Sequence, residues 1–270
     1  MAIQTLTKFV SSPLITLLVY GKTGTGKTTL TAKAAQFDEF APLEIIDFDL
    51  RLDGLVESIP KELLERIRFQ SYRDVSTPGE AYDRAWSRLR ELEDIAGKPD
   101  APKTVSLDSL TFMGKSFLDM VVYLDSTKGE SKSGGKERYG ELVAVREHYG
   151  PQMQHIERFI QRLTGLKQKG YNVFVTAHED PTKDEITGRL SRAVDTTGKL
   201  VNRLPGYFNE YWHTEIGQAT VLNAPAQFNI RTAPADGIEA RTSFSKVLSP
   251  VEQQDQIWQK LVTHLRQKKG

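Results

Sequence analysis

The chain has 270 residues, 39% of them hydrophobic, which is enough for one substantial core and a small appendage. A formal net charge of +1 gives no whole-molecule basic field, so any contact with nucleic acid has to come from a local patch. The absence of cysteine excludes disulfides, thiolate catalysis and cysteine-ligated zinc, and no apolar run approaches the roughly 18 residues of a membrane span, so a soluble, cytoplasmic protein with no membrane partner is expected.

The first predicted element is a buried strand over residues 14–20. It runs into Gly21-Lys22-Thr23-Gly24-Thr25-Gly26-Lys27-Thr28, a complete G-x-x-x-x-G-K-[ST] phosphate loop, and residues 29–36 continue as a helix. Glycines let the backbone wrap a phosphate chain with its N–H groups, and the helix adds its positive end. Gly21, Lys22, Thr23, Gly24, Thr25, Gly26, Lys27, Thr28 and Thr29 are therefore the candidate nucleotide-binding residues. Lys27 is placed to reach the β- and γ-phosphates and Thr28 to ligate Mg²⁺, so ATP and Mg²⁺ are the expected cofactors.

The next strand, over residues 43–49, ends in carboxylates. Asp47 and Asp49 lie one pleat apart and share a side if the strand stays regular. Either can polarise an attacking water, and the other can cap the chain or pair with Arg51. A strand follows at 67–71. Thr77-Pro78-Gly79-Glu80 reads as a capping box with proline at the first helical position, opening a helix to about residue 95. After a loop at 97–102, residues 104–108 form a strand ending in Asp108-Ser109. Asp108 is the candidate metal-site carboxylate, although a strand-terminal Asp can also cap the following helix.

Residues 127–139 are small, polar and glycine-rich and lack core periodicity. Met153, Ile156, Phe159, Ile160 and Leu163 form a helical stripe that leads into a buried strand at 171–176. A long loop is predicted over 181–204. Short strands follow at 219–222, 228–232 and 241–244, with Ala235-Asp236-Gly237 as a turn. Ser249-Pro250-Val251-Glu252 reads as a second capping box, opening a helix with Ile257, Leu261, Val262 and Leu265 on one face. The alternation predicts an α/β fold, a mostly parallel sheet flanked by helices with a C-terminal β-hairpin and helix. The expected division is a core over 1–245 and a helical appendage over 246–270 packed on it.

Ile46-Asp47-Phe48-Asp49-Leu50-Arg51-Leu52-Asp53 resembles the I-D-A-E-H-A-L-D segment of bacterial RecA, whose catalytic glutamate falls on Asp49. The order of Phe69-Gln70-Ser71, Gly79-Glu80-Ala81 and Val105-Ser106-Leu107-Asp108-Ser109 is also RecA-like. The Leu-Asp-Ser-Leu-Thr and Thr-Ala-His forms resemble small phage-encoded RecA-like ATPases that act as single-strand annealing proteins. The resemblance implies a RecA-like P-loop NTPase core with Asp49 as base, and a γ-phosphate sensor at His178. It implies DNA-binding loops carrying Lys128, Lys132, Lys136, Arg138 and Tyr139, then Lys183, Arg189, Arg192 and Lys199. Cations and glycine N–H groups in such loops can follow a strand's phosphates, with Tyr139 stacking on a base. It further implies Arg241 as a finger reaching a neighbouring subunit's γ-phosphate, with Glu239 where such proteins carry another cation. The function implied is annealing or strand pairing in phage-type recombination, in the host cytoplasm. The implied partners are single-stranded DNA, further copies in a ring or filament, and a single-strand-binding protein. A ring helicase or loader motor on the same core, or a nucleotide-dependent protein-binding switch, are the alternatives. The other histidines, His148, His155, His213 and His264, have no metal-like spacing and are expected to be structural or surface residues.

Overall fold

The computed structural model describes residues 14–127, 136–138, 141–183, 185, 188, 190–217, 226–235 and 237–268. Lys128, Lys132, Tyr139, Arg189 and the strand expected over 219–222 lie outside these residues, as do the side chains of Lys136 and Arg138.

The strands are β1 (Thr16–Gly21), β2 (Leu43–Asp47), β3 (Ile67–Ser71), β4 (Thr104–Asp108), β5 (Lys136–Arg138), β6 (Glu141–Val143), β7 (Asn172–Lys183), β8 (Leu190–Val194), β9 (Glu210–Gly217), β10 (Gln227–Arg231) and β11 (Val251–Gln253). The helices are α1 (Lys27–Lys33), α2 (Asp53–Ser58), α3 (Lys61–Leu64), α4 (Glu80–Ile95), α5 (Leu110–Thr127), α6 (Tyr149–Gly165), α7 (Leu200–Arg203) and α8 (Ile257–Gln267). The main sheet runs β11-β10-β9-β1-β7-β4-β2-β3. Strands β9, β1, β7, β4, β2 and β3 are mutually parallel, while β10 and β11 close one edge antiparallel. This is the mostly parallel α/β architecture of a RecA-like P-loop NTPase core.

The central strands are buried at every position because helices cover both faces. Alternate residues therefore enter two different cores. Leu18, Tyr20, Ile46, Val105 and Leu107 join α4, α5 and α6 through Leu89, Phe117, Phe159 and Ile160. Leu17, Val19, Leu43, Ile45 and Phe174 join α1, α3 and α8 through Leu30, Leu63, Trp258 and Leu261. Parallel pairing puts all the C-terminal strand ends on one rim, and the phosphate loop, Asp47, Asp108 and His178 share it.

Several local expectations are corrected. Helix α4 begins at Glu80, and Gly79 at φ 106° precedes it in the left-handed region, so Pro78 is not a helical residue. A Cβ at Gly79 would come within 2.8 Å of Met120 Cγ, which leaves room for glycine alone. Asp74 takes the capping duty, accepting the Ala81 N–H at 2.7 Å. Glu252 does accept the Ser249 N–H at 2.7 Å, half of a capping box, but Val251–Gln253 is strand β11 against β10, and the helix starts at Ile257. The segment expected as a helical appendage thus also supplies a strand.

Residues 241–244 do not form a strand. Only Arg241 bridges Tyr211, because Thr242 Oγ1 and the Ser243 N–H both turn onto the buried Glu210 carboxylate, at 2.5 and 2.9 Å. The predicted long loop over 181–204 is instead opened by a hairpin, in which β7 continues to Lys183 and pairs with β8.

Candidate active site

Strand β1 is buried throughout and releases the chain at Gly21 between β7 and β9, with Gly21 opposite His178 on one side and Thr214 on the other. Gly24 and Gly26 take φ of 81° and 78°, the left-handed values that let the loop double back before α1. The Thr25 hydroxyl donates to Lys22 O at 2.7 Å and lies 2.7 Å from Thr214 Oγ1, so the loop is tied to itself and to β9.

Lys27 is buried beneath this loop. Its Nζ donates to Gly21 O and Lys22 O at 2.9 and 2.7 Å. Burial pulls the ammonium from 10.5 down to about 8, against the opposing fields of the Asp108, Asp49 and Glu179 carboxylates. A cation with only two carbonyl acceptors there has room to gain from phosphate oxygens.

Thr28 Oγ1 donates to Asp108 Oδ2 at 2.8 Å, and Thr176 Oγ1 donates to Asp108 Oδ1. Burial pushes the Asp108 carboxyl up to about 6 even though both hydroxyls favour its ionised form. The pair offers one carboxylate and one hydroxyl side by side. That donor set fits Mg²⁺, which takes one or two protein oxygens and fills its octahedron with phosphate and water. Asp108 also works through its backbone, since its carbonyl accepts the Phe48 and Asp49 N–H groups at 2.6 and 3.1 Å.

Those contacts end β2 and separate the two aspartates. Asp47, the last strand residue, accepts the Leu50 N–H through Oδ1 and the Ser71 hydroxyl through Oδ2, each at 2.8 Å. It holds a turn in which Leu50 sits at φ 57°. Burial raises its pKa above the ordinary carboxylate value. Asp49 is beyond the strand. Its Oδ1 is buried with no hydrogen-bond partner, and its Oδ2 lies 3.8 Å from His178 Nε2. An unsatisfied buried carboxylate oxygen beside the phosphate loop is what a water-binding base requires, and Asp47 has no such free oxygen.

His178 completes the group. Its Nδ1 is 3.1 Å from Thr23 Oγ1 and its buried Nε2 is without a hydrogen bond. Thr111 Oγ1 accepts the His178 N–H at 3.0 Å and donates to Asp195 O, while Asp195 N–H returns to His178 O at 2.8 Å.

The structure thus gathers Lys27, Thr28, Asp49, Asp108 and His178. Arg241 is placed elsewhere: its guanidinium donates to Phe208 O at 2.6 Å and to Pro205 O, closing the turn at residues 204–207 of its own chain. A finger reaching a neighbour has to abandon both carbonyls. Thr176, Thr111 and Gln254 were not expected. Thr176 shares a strand face with His178 two residues on, so period-2 spacing carried a signal for it, whereas Gln254 is 228 residues from Gly26 and carried none. The remaining histidines have local partners: His148 meets Asp125 and the Val145 N–H, His155 meets Tyr82, His213 meets Glu179, and His264 packs edge-on to Phe244.

A solved structure described as a prototypical ATPase from the type III secretion system of pathogenic bacteria is similar over 77% of this chain and 54% of that one, at 12% identity and a TM-score of 0.43. The chain therefore spans about half the length of that protein. No curated protein matches the sequence. The family described as AAA domain matches residues 14–244. That match takes in every strand from β1 to β10 and the whole Lys27, Thr28, Asp49, Asp108 and His178 cluster, and the chain belongs to this AAA-domain family of P-loop ATPases.

Proposed function

We propose that the protein is a Mg²⁺-dependent ATPase that binds single-stranded DNA and promotes annealing or strand pairing in phage-type recombination. The observation that carries the ATPase part is the unpartnered Asp49 Oδ1 in the same cluster as Lys27 and the Thr28–Asp108 pair. Asp49 holds a water and takes its proton as the oxygen attacks the γ-phosphorus. The bond to the β-phosphate oxygen breaks, giving ADP and inorganic phosphate. Lys27 transfers its hydrogen bonds from Gly21 and Lys22 carbonyls to phosphate oxygens, and Thr28 and Asp108 are the residues that would hold the metal. Mg²⁺, when bound, neutralises charge on the phosphate oxygens.

The DNA part is supported by continuity. Strand β7 carries His178 and runs without a break into the exposed hairpin with β8, so a shift at the sensor is passed on to Lys183 at its far end. Lys183 and Lys199 are exposed, whereas Arg192 is partly occupied by Glu179 at 3.8 Å. The test is ATPase turnover with and without single-stranded DNA at two salt concentrations, alongside pairing of labelled complementary strands. Stimulation that fades with salt and faster pairing are expected. Turnover indifferent to DNA, with no pairing, refutes the DNA part and leaves a motor or switch acting on protein.

A further inference from the structure

The segment after β11 grips the phosphate loop from behind. Gln254 is 5% exposed, and its amide Nε2 donates to Gly26 O at 2.5 Å. The same carbonyl accepts the Leu30 N–H at 2.8 Å, the first hydrogen bond of α1. Trp258 Nε1 donates to Leu30 O at 2.7 Å, and Lys33 Nζ meets Asp255 Oδ1 at 2.5 Å. Gly26, Leu30 and Lys33 follow i, i+4, i+7 spacing, so residues 254–258 hold one stripe of this helix. A Cβ at Gly26 would fall 2.8 Å from both heteroatoms of the Gln254 amide, so the amide lies directly against the glycine.

We propose that Gln254 is a positioning residue of the nucleotide site, fixing the Gly26 peptide where the phosphate loop becomes helix and so aiming the following N–H groups at the phosphate chain. The proposal rests on the nucleotide-binding reading of residues 21–29. What Gln254 governs is affinity for the phosphates and not for the base. Linkage makes the effect reciprocal: bound phosphates tighten residues 254–258 on α1 as much as those residues tighten phosphates.

The test titrates the full chain with ATP and with inorganic tripolyphosphate, both with Mg²⁺. In Gln254→Ala, affinity for both ligands is expected to fall together by about 5–10-fold, the equivalent of one hydrogen bond, with kcat at saturation within about twofold. Gln254→Glu sets a carboxylate against the Gly26 carbonyl and is expected to lose more. Trp258→Phe removes a donor to Leu30 O, one turn further from the phosphates than Gly26, while keeping an aromatic ring, and should lower the melting temperature with a smaller loss of both affinities than Gln254→Ala. A loss confined to ATP assigns Gln254 to the base and overturns the proposal, as does unchanged tripolyphosphate affinity. If Gln254→Ala does not fold, hydrogen exchange on the wild type decides, since tripolyphosphate must slow exchange in residues 254–258 and no slowing overturns the proposal. A wild type that binds neither ligand refutes the nucleotide site itself.

Discussion

The two aspartates at the end of β2 give the sharpest test of the site, because Asp47→Asn and Asp49→Asn are chemically the same change. Asp49 has one buried oxygen without a partner and none of its side-chain atoms holds the backbone, so Asp49→Asn removes a base and little structure. Loss of a general base is worth about 10²–10⁴-fold in turnover, or roughly 3–5 kcal/mol in the barrier, with nucleotide affinity and melting temperature near wild type. At Asp47 the amide oxygen of Asn can still accept the Leu50 N–H, and its NH₂ can face Ser71 Oγ, which is able to accept. Both bonds survive in weaker form, and the desolvation that raises the Asp47 pKa is relieved, so the cost should stay under about 1 kcal/mol. That corresponds to a melting shift of a few degrees in a protein of this size. The relief also has a pH signature. A carboxyl whose folded pKa is raised withdraws stability as pH climbs above its ordinary value, and Asp47→Asn should flatten that decline. Single-turnover ATP hydrolysis and thermal melting on the two variants read both effects. If Asp47→Asn abolishes turnover while Asp49→Asn hydrolyses ATP normally, the assignment of the base is wrong.

Lys27 should take up a proton when phosphates bind at alkaline pH. With its pKa near 8 in the free protein and returned to 10.5 or above by phosphates, uptake is about 0.9 proton at pH 9 and about 0.1 at pH 7. Calorimetry in buffers of different ionisation enthalpy measures this, Lys27→Ala should abolish it with most of the affinity, and no uptake at pH 9 in the wild type contradicts the burial argument. Asp108 should set an acid limb near pH 6 in kcat/KM that moves lower as Mg²⁺ is raised, since a bound cation favours the carboxylate. The same group makes the free protein lose stability as pH rises from about 4 to 6, because the folded state holds the proton longer. Arg241→Ala should cost about 1 kcal/mol in denaturant unfolding by freeing the Pro205 and Phe208 carbonyls. A mixture of Lys27→Ala and Arg241→Ala chains that regains turnover neither has alone would instead show a role across a subunit interface.

Local residue order dictates the parts of this protein that depend on short range. The phosphate loop is legible because eight neighbouring residues carry its glycine and lysine spacing, and strands β1, β2 and β4 are legible because burial on both faces favours largely apolar runs. The shared rim position of Asp47, Asp108 and His178 follows, since β2 and β4 end there in parallel and Gly21 at the end of β1 pairs with His178. Helix α5 is harder to see, as Leu110, Met113, Phe117, Met120, Val121 and Val122 are all buried and blur its period.

Only the tertiary structure sets Asp47 and Asp49 in different surroundings, because the difference lies in where β2 stops, and the Asp108 carbonyl on the neighbouring strand stops it. It also took Arg241 into a turn of its own chain and made Val251–Gln253 a strand, since the open edge of β10 offered backbone partners that a helix start did not. Gln254 belongs to the nucleotide site for the same reason. Its contact with Gly26 closes over 228 residues, and contacts at that range are set by how layers stack and leave no trace in local pattern.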